Sequence, residues 1–120
     1  MSAAFPPAVR LRSRREYDAV QRGGRRVSAR FVTLLARPGA APHDRLGLVA
    51  SRKIGGAVIR NRAKRRLREI FRQLEPAAPD PRPLDLVAIA RRELVDAPHA
   101  IVEADFRAAL KKLRGTGGSR

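Results

Sequence analysis

Residues 51–74 read SRKIGGAVIRNRAKRRLREIFRQL, and the rest of the chain is organised around this stretch. From Ala57 onward its apolar residues recur with the 3.6-residue period of an amphipathic helix. The stripe consists of Ala63, Leu67, Ile70, Phe71 and Leu74. A continuous apolar stripe must be buried against other elements, so the stretch predicts a long helix packed on a core.

The same helix carries far more positive than negative charge. Residues 57–75 contain six arginines and one lysine but only two acids. Plotted at about 100° per residue, most of these cations form a face beside the apolar stripe, while Arg62 and Arg66 fall on the far side. Such a face is often merely solvated, but guanidinium groups suit phosphates, and Gly55 and Gly56 let a phosphate approach the helix N-terminus. The pattern therefore indicates a helix that binds a polyanion.

Charge is unevenly distributed along the 120 residues, whose formal net charge is +16. Residues 1–75 hold 19 Lys and Arg against 5 Asp and Glu, whereas residues 76–120 hold 8 against 6. A balance this basic favours a polyanionic partner, with nucleic acid ahead of an acidic membrane. We therefore expect the binding surface in the first two thirds of the chain.

The composition also excludes several classes of protein. The length suits one domain, and the absence of cysteine excludes a disulfide framework and thiolate zinc sites. No apolar run is long enough to span a membrane and no hydrophobic signal segment is visible, which favours a soluble, cytoplasmic protein. His43 and His99 stand alone, and no pair of acids has the spacing of a metal site. The residues predict neither a catalytic centre nor a metal site in this chain.

The N-terminal part predicts an arm followed by a short helix. Residues 1–10 contain two prolines and no periodic pattern, and we expect a mobile arm there. Ser13 and Glu16 have the spacing of a capping box for a helix that runs to about Arg22. A glycine pair directly after it ends the helix.

Three apolar runs predict strands. They are residues 31–36, residues 46–50 and residues 84–90. Gly47 in the second run leaves room for a ligand on one face, and the third run is almost wholly apolar, as in a strand buried on both faces. The proline-rich residues 76–83 predict a rigid surface loop, because a domain split there would leave too short a second part.

The C-terminal part predicts a last helix from about residue 98 or 99 to residue 113. Its expected apolar stripe is Ile101, Phe106, Leu110 and Leu113. Residues 115–120 are expected to be a disordered tail, which leaves residues 11–114 as a single domain. Helices and strands in this order predict an α/β (α+β) two-layer sandwich, with helices packed on a small mixed sheet.

The sequence SRKIG at residues 51–55, followed by AVIRNRAKRRLRE at residues 57–69, resembles the signature of the bacterial ribonuclease P protein component. Its Arg-Asn-Arg core stands at residues 60–62, and looser similarity extends from about residue 11 to residue 113. The resemblance implies three helices on a four-stranded mixed sheet, with a left-handed βαβ crossover through the signature helix. The general preference for right-handed crossovers would not predict that handedness.

The resemblance also implies an activity. In this family the catalyst is an RNA subunit that, with bound magnesium, hydrolyses a phosphodiester and removes the 5′ leader of precursor tRNA. The protein subunit has no active site; it binds the catalytic RNA and the leader, neutralises charge and supports the metal-ion sites. We therefore expect an RNA-binding protein that is monomeric within a 1:1 complex, with magnesium as a cofactor only through the RNA.

Eight signature positions match family positions that face the catalytic RNA: Arg52, Lys53, Arg60, Asn61, Arg62, Lys64, Arg65 and Arg68. Arg and Lys neutralise phosphates, and Asn can bond to sugar or base edges. The alternative is that Asn61 only braces the start of the helix and that Arg62 is only solvated. Gly56 stands where Asn is usual in the family, which removes one side-chain contact to RNA.

Four positions match the family's leader-binding cleft between the first helix and the sheet: Tyr17, Gln21, Val32 and Leu34. An aromatic ring there can stack on an unpaired base of the leader. The alternative places Tyr17 in the core, and Val32 and Leu34 are core residues unless the resemblance holds. Gln21 stands where a second aromatic residue is common, so we expect weaker stacking or hydrogen bonds instead.

Two other classes of protein fit the basic helix. A ribosomal or ribosome-assembly protein would use it on structured RNA, and a nucleoid-type protein would use it on DNA. DNA-binding helices need a presentation that fits a groove and usually a dimer, and no dimerisation stripe appears outside the core. The ordered signature favours ribonuclease P, and reconstitution with its RNA and a 5′-extended tRNA discriminates among the three classes.

Overall fold

The computed structural model describes residues 10–39, 43–74 and 83–118. It has three helices and a four-stranded mixed sheet, which confirms the predicted fold class. In chain order the elements are α1 (Arg14–Gly23), β1 (Arg25–Ser28), β2 (Val32–Pro38), β3 (Arg45–Val49), α2 (Ala57–Gln73), β4 (Leu84–Ala90) and α3 (His99–Gly118). The described helices include none with the length and apolar composition that a membrane span needs.

The strands are ordered β1-β2-β4-β3 across the sheet. β2 pairs antiparallel with β1 and β4, whereas β3 pairs parallel with β4. β3, α2 and β4 therefore form the βαβ unit that the resemblance implies, and its left-handed crossover stays a prediction. The central position of β4 explains its apolar sequence, because both of its faces are covered.

The larger core lies between one face of the sheet and the helices α2 and α3. From α2, Ala63, Leu67 and Ile70 are buried, and Phe71 and Leu74 pack at the margin. The predicted apolar stripe of α2 is therefore confirmed. This packing fixes the rotation of α2 about its axis, and hence which of its side chains reach solvent.

The buried stripe of α3 differs from the predicted one in containing Val102 in place of Ile101 and in adding Ala109. It consists of Val102, Phe106, Ala109 and Leu113, with Leu110 partly buried. The prediction was wrong at Ile101, which is 49% exposed. Val102 lies one helical turn before Phe106, whereas residue 101 is five positions away and projects from a different side of the helix.

The opposite face of the sheet is covered by α1. Here Leu11, Val20, Leu35 and Val87 form a second, smaller buried cluster. Helices therefore cover both faces of the sheet, which goes beyond the expected two-layer arrangement. A small cluster of this size stabilises α1 less than the larger core stabilises α2, so polar contacts matter more on this face.

The start of α1 follows the predicted capping box. The Glu16 amide donates to Ser13 Oγ at 3.1 Å, and Glu16 Oε1 accepts from the Ser13 amide at 3.0 Å. Before the helix, Arg10 forms an isolated parallel bridge with Leu46, and the Leu11 amide donates to the Leu46 carbonyl. Residue 10 is thus attached to the edge of the sheet rather than part of a mobile arm. Residues 1–9 lie outside the described residues.

Two elements differ most from the sequence prediction. Strand β1 was implied only by the family resemblance, because Val27 is its one large apolar residue and the strand lies at the edge of the sheet. Helix α3 extends to Gly118, so residues 115–118 are helical where a disordered tail was expected.

Candidate RNA interface

The start of α2 is positioned by a short 3-10 turn, Arg52–Ile54, that follows β3. Ile54 is buried and anchors the turn, while Arg52 and Lys53 remain exposed. Gly55 has a φ of 148°, and a Cβ there would lie 2.8 Å from Ile59 Cδ1. A glycine is therefore required for the chain to enter α2 at this angle.

All eight residues predicted to bind the RNA subunit lie in this turn or on α2. Five of them are exposed: Arg52, Lys53, Asn61, Arg62 and Arg65. The other three, Arg60, Lys64 and Arg68, are half-buried. Arg60 Nε is buried and has no hydrogen-bond partner among the described residues. The fold thus presents one cationic surface, which we call the α2 surface and define by these eight residues.

One cation at the end of α2 is paired within the helix. Arg72 donates to both carboxylate oxygens of Glu69, and Gln73 Nε2 donates to Glu69 Oε2 at 3.1 Å. The hydrogen bond from Arg72 lowers the pKa of Glu69 below its usual value. The single acid of the described helix is therefore engaged by residues at the C-terminal end of α2.

Arg66 has a structural role that its position in the sequence did not reveal. Its Nη1 donates to the Leu94 carbonyl at 2.8 Å, and its Nη2 donates to the Ala97 carbonyl at 2.7 Å. Both acceptors belong to the segment between β4 and α3, which includes a 3-10 turn at Arg92–Leu94. Arg66 thus holds α2 against this segment through uncharged backbone groups, while its neighbour Arg65 points to solvent.

On the opposite face of the sheet, Tyr17 is half-buried and packs against β3. A Cβ on Gly47 would lie 2.6 Å from Tyr17 Cζ, so the ring rests directly on this glycine. The Tyr17 hydroxyl accepts a hydrogen bond from the Leu48 amide at 3.1 Å. The space that the sequence indicated for a ligand at Gly47 is therefore filled by Tyr17, and a side chain at residue 47 would displace the Tyr17 ring.

Two of the predicted leader-binding residues lie on the wrong face of the sheet. Val32 and Leu34 are 0% exposed and belong to the larger core beneath α2 and α3. Side chains alternate along a strand, so they point away from Tyr17 and cannot line a cleft with it. Thr33 and Leu35 occupy the α1 face of the same strand. The one polar residue in the apolar run of residues 31–36, Thr33, was the signal for the correct alternation.

The α1 face of the sheet continues beyond Tyr17 as a partly exposed surface. Thr33 pairs with Ile89, and Ile89 pairs with Val49, so these three side chains form one row across the sheet. Ile89 and Val49 are half-buried and pack at the margin of the smaller cluster. Gln21, one helical turn after Tyr17, is exposed. We call the residues Tyr17, Gln21, Val49 and Ile89 the α1 surface.

A partly buried ionic network holds α1 on the sheet. Arg45 Nε and Nη2 each donate to a carboxylate oxygen of Asp85 at 3.0 Å, and Arg45 Nη1 donates to Glu16 Oε2 at 3.0 Å. The backbone amides of Arg12 and Ser13, followed by Arg45, lower the pKa of Glu16. The hydrogen bonds to Asp85 raise the pKa of Arg45. Glu16 therefore joins the cap of α1 to the two strands β3 and β4.

Comparison with known proteins connects this architecture to one family. The family model described as Ribonuclease P matches residues 5–114. A ribonuclease P protein component from Streptomyces avermitilis is 38% identical, covering 97% of this chain and 99% of the relative. The ribonuclease P protein structure from Thermotoga maritima is 32% identical with a TM-score of 0.76, covering 86% of this chain and 96% of the other.

A second solved structure gives the same result. The ribonuclease P protein from Staphylococcus aureus is 26% identical with a TM-score of 0.76, covering 86% of this chain and 93% of the other. The comparisons therefore agree with the signature on α2 and with the topology of the sheet. The chain belongs to the ribonuclease P protein family and is the protein component of the RNA–protein endoribonuclease that processes the 5′ ends of tRNA.

Proposed function

We propose that the α2 surface binds the catalytic RNA subunit, with one protein per RNA. The observation that carries this proposal is that five exposed polar side chains, four of them cations, lie together on one turn and one helix. The packing of α2 holds them in fixed positions, which reduces the entropy lost when phosphates bind.

The α1 surface is proposed to bind the 5′ leader of precursor tRNA. Its position supports this role because α1 and α2 lie on opposite faces of the sheet, so two RNA segments can be bound at once. Tyr17 presents a half-buried ring, and Gln21 offers an amide for hydrogen bonds. Val49 and Ile89 take the place that the sequence assigned to residues 32 and 34. Stacking and apolar contact with unpaired bases suit a leader of variable sequence.

Magnesium is proposed to act through the RNA subunit rather than through this chain. The described residues include no group of three or more His, Asp or Glu side chains that could hold a metal ion. A strongly cationic surface also repels a free divalent cation. The protein would therefore support metal binding only indirectly, by fixing RNA phosphates in place. We expect the complex in the cytoplasm, together with its tRNA precursors.

The RNA-subunit role is tested by removing charge from one face at a time. The double variant Arg62→Ala/Arg65→Ala should weaken binding to a bacterial ribonuclease P RNA and reduce the slope of log K against log salt by about 1.4–1.8. The variant Arg14→Ala/Arg15→Ala removes the same charge from exposed positions on α1 and is the matched control. Equal losses in both variants would mean that net charge, not the α2 surface, determines binding.

The leader-binding role needs a separate measurement. Holoenzyme reconstituted with the RNA subunit should bind a 5′-extended tRNA more tightly than mature tRNA, and Tyr17→Ala should reduce that preference by about 1–3 kcal/mol. A melting curve of the free protein is recorded alongside, because Tyr17 also packs on Gly47. Equal losses for both tRNAs in a destabilised protein would assign Tyr17 to packing alone.

A further inference from the structure

Val58 is an exposed aliphatic side chain on the helix that carries the cations. Within the part of the chain that the structure describes, the exposed large hydrophobic residues are Val58 at 73%, Ile101 at 49% and Ile59 at 37%. A single exposed aliphatic residue needs no explanation. Val58 is different because it is the most exposed of the three and lies on a proposed binding surface.

The spacing along α2 places Val58 in line with the proposed RNA-binding residues. Asn61, Arg62 and Arg65 follow it at i+3, i+4 and i+7, the positions that share one side of a helix. All four side chains are exposed. The isopropyl group therefore lies on the same side of α2 as an amide and two guanidinium groups, at the end of α2 where the chain emerges from its glycine turn.

Ile59, the next residue, is already used inside the protein. It lies over Gly55, where an added Cβ would be 2.8 Å from its Cδ1. It also lines a shallow groove together with Ala63, Leu94 and Val95. Its partial exposure is thus explained by packing at the margin of the core, whereas no such packing explains Val58.

The charge around Val58 determines which partner can cover it. A second copy of this chain, with a net charge of +16, would bring further cations against Arg62 and Arg65 and would be repelled. RNA offers phosphates to those cations and, between the phosphates, the apolar C–H groups of ribose and the faces of bases. RNA therefore satisfies both kinds of side chain at once.

We propose that Val58 makes an apolar contact with a ribose or base of the RNA subunit, beside the phosphates that Arg62 and Arg65 bind. This inference rests on the proposed role of the α2 surface. It adds a contact that is not electrostatic, so its contribution to affinity does not depend on the release of counterions. Loss of this contact lowers the affinity equally at every salt concentration.

The test is a salt titration of binding to a bacterial ribonuclease P RNA. Val58→Ala should weaken binding about three- to tenfold at each salt concentration and leave the slope of log K against log salt unchanged. Alanine is a better helix former than valine, so the variant is expected to fold. Ile101→Ala is the matched control, because it removes the same type of exposed side chain from α3.

Four other outcomes would overturn the inference. Binding of Val58→Ala as tight as wild type, with Arg62→Ala/Arg65→Ala still weakened, would exclude the Val58 contact and leave the role of α2 intact. If Val58→Ala and Arg62→Ala/Arg65→Ala both bound as tightly as wild type, the proposed role of the α2 surface would be overturned as well. If Ile101→Ala weakened RNA binding as much as Val58→Ala, the loss of affinity would not be specific to Val58. Sedimentation in which only Val58→Ala loses self-association would assign the side chain to a second protein copy.

Discussion

The two faces of the sheet hold their helices by different kinds of contact. On one face, α2 and α3 are fixed by large, fully buried side chains such as Leu67 and Phe106. On the other, α1 is fixed by a small cluster around Val20 and by polar contacts of Tyr17 and Arg45. The cations of α2 therefore stand on a rigid support, whereas the position of α1 depends on hydrogen bonds and ion pairs that respond to pH.

The largest expected effect is on the α2 side. Leu67→Ala should lower the free energy of unfolding by about 2–5 kcal/mol, because it removes fully buried methyl groups and leaves a cavity. Equilibrium unfolding in denaturant measures this loss. Arg65→Ala, at an exposed position on the same helix, is the control and should change stability by less than about 0.5 kcal/mol. The reverse order would mean that α2 is rotated about its axis.

A smaller loss is expected from breaking the ionic network on the α1 side. Arg45→Met leaves the carboxylates of Glu16 and Asp85 without their shared cation, and should cost about 1–3 kcal/mol because the site is only partly buried. Hydrogen exchange should show faster opening of α1 than of α2. Arg45→Lys keeps the charge but loses the bidentate contact with Asp85, and its loss of stability should be intermediate. Equally accelerated hydrogen exchange in α1 and α2 would show that the ionic network does not hold α1 in particular.

A single hydrogen bond is removed by Tyr17→Phe. The Leu48 amide then loses its acceptor, and we expect a loss of about 0.5–1.5 kcal/mol in unfolding free energy. The ring stays on Gly47, so the preference of the holoenzyme for precursor over mature tRNA should be retained. A thermal melt and the two tRNA affinities separate these effects. A loss of tRNA preference without a change in stability would assign the hydroxyl to RNA instead.

The smallest effect concerns pH. The pKa of Glu16 is lower in the folded protein than in the unfolded chain, so its contribution is present above the unfolded pKa and is lost as the pH falls through the folded pKa. Glu16→Gln should therefore make stability less sensitive to acid, measured by unfolding at several pH values below about 5. If the free energy of unfolding depended on pH in the same way for wild type and Glu16→Gln, Glu16 would not be the source of the acid sensitivity.

Local patterns in the sequence were sufficient for much of the fold. Strand β4 was placed with its observed bounds because a short, almost wholly apolar run is typical of a strand buried on both faces. The capping pair Ser13 and Glu16 located the start of α1, and the stripe through Leu67 gave the orientation of α2. These signals depend on neighbours within one or two turns, which a sequence displays directly.

Contacts between distant segments could not be derived in this way. The face of β2 was assigned wrongly for Val32 and Leu34, because the run is apolar on both sides and only Thr33 marks the alternation. The role of Arg66 depends on the carbonyls of Leu94 and Ala97, and a backbone acceptor has no signature in the sequence. The proposed site on α2 was therefore predictable from its helix, and the one on α1 was not.

The contact of Arg66 with backbone carbonyls has a consequence for association kinetics. An ion pair with a carboxylate would have cancelled one positive charge, whereas carbonyl oxygens hold the guanidinium and leave the net charge of α2 unchanged. The full charge therefore contributes to the potential that an approaching polyanion experiences at a distance. Such a potential raises the rate of encounter and weakens as ionic strength rises. A guanidinium held in this way keeps its contribution to the potential while its hydrogen bonds stay inside the protein.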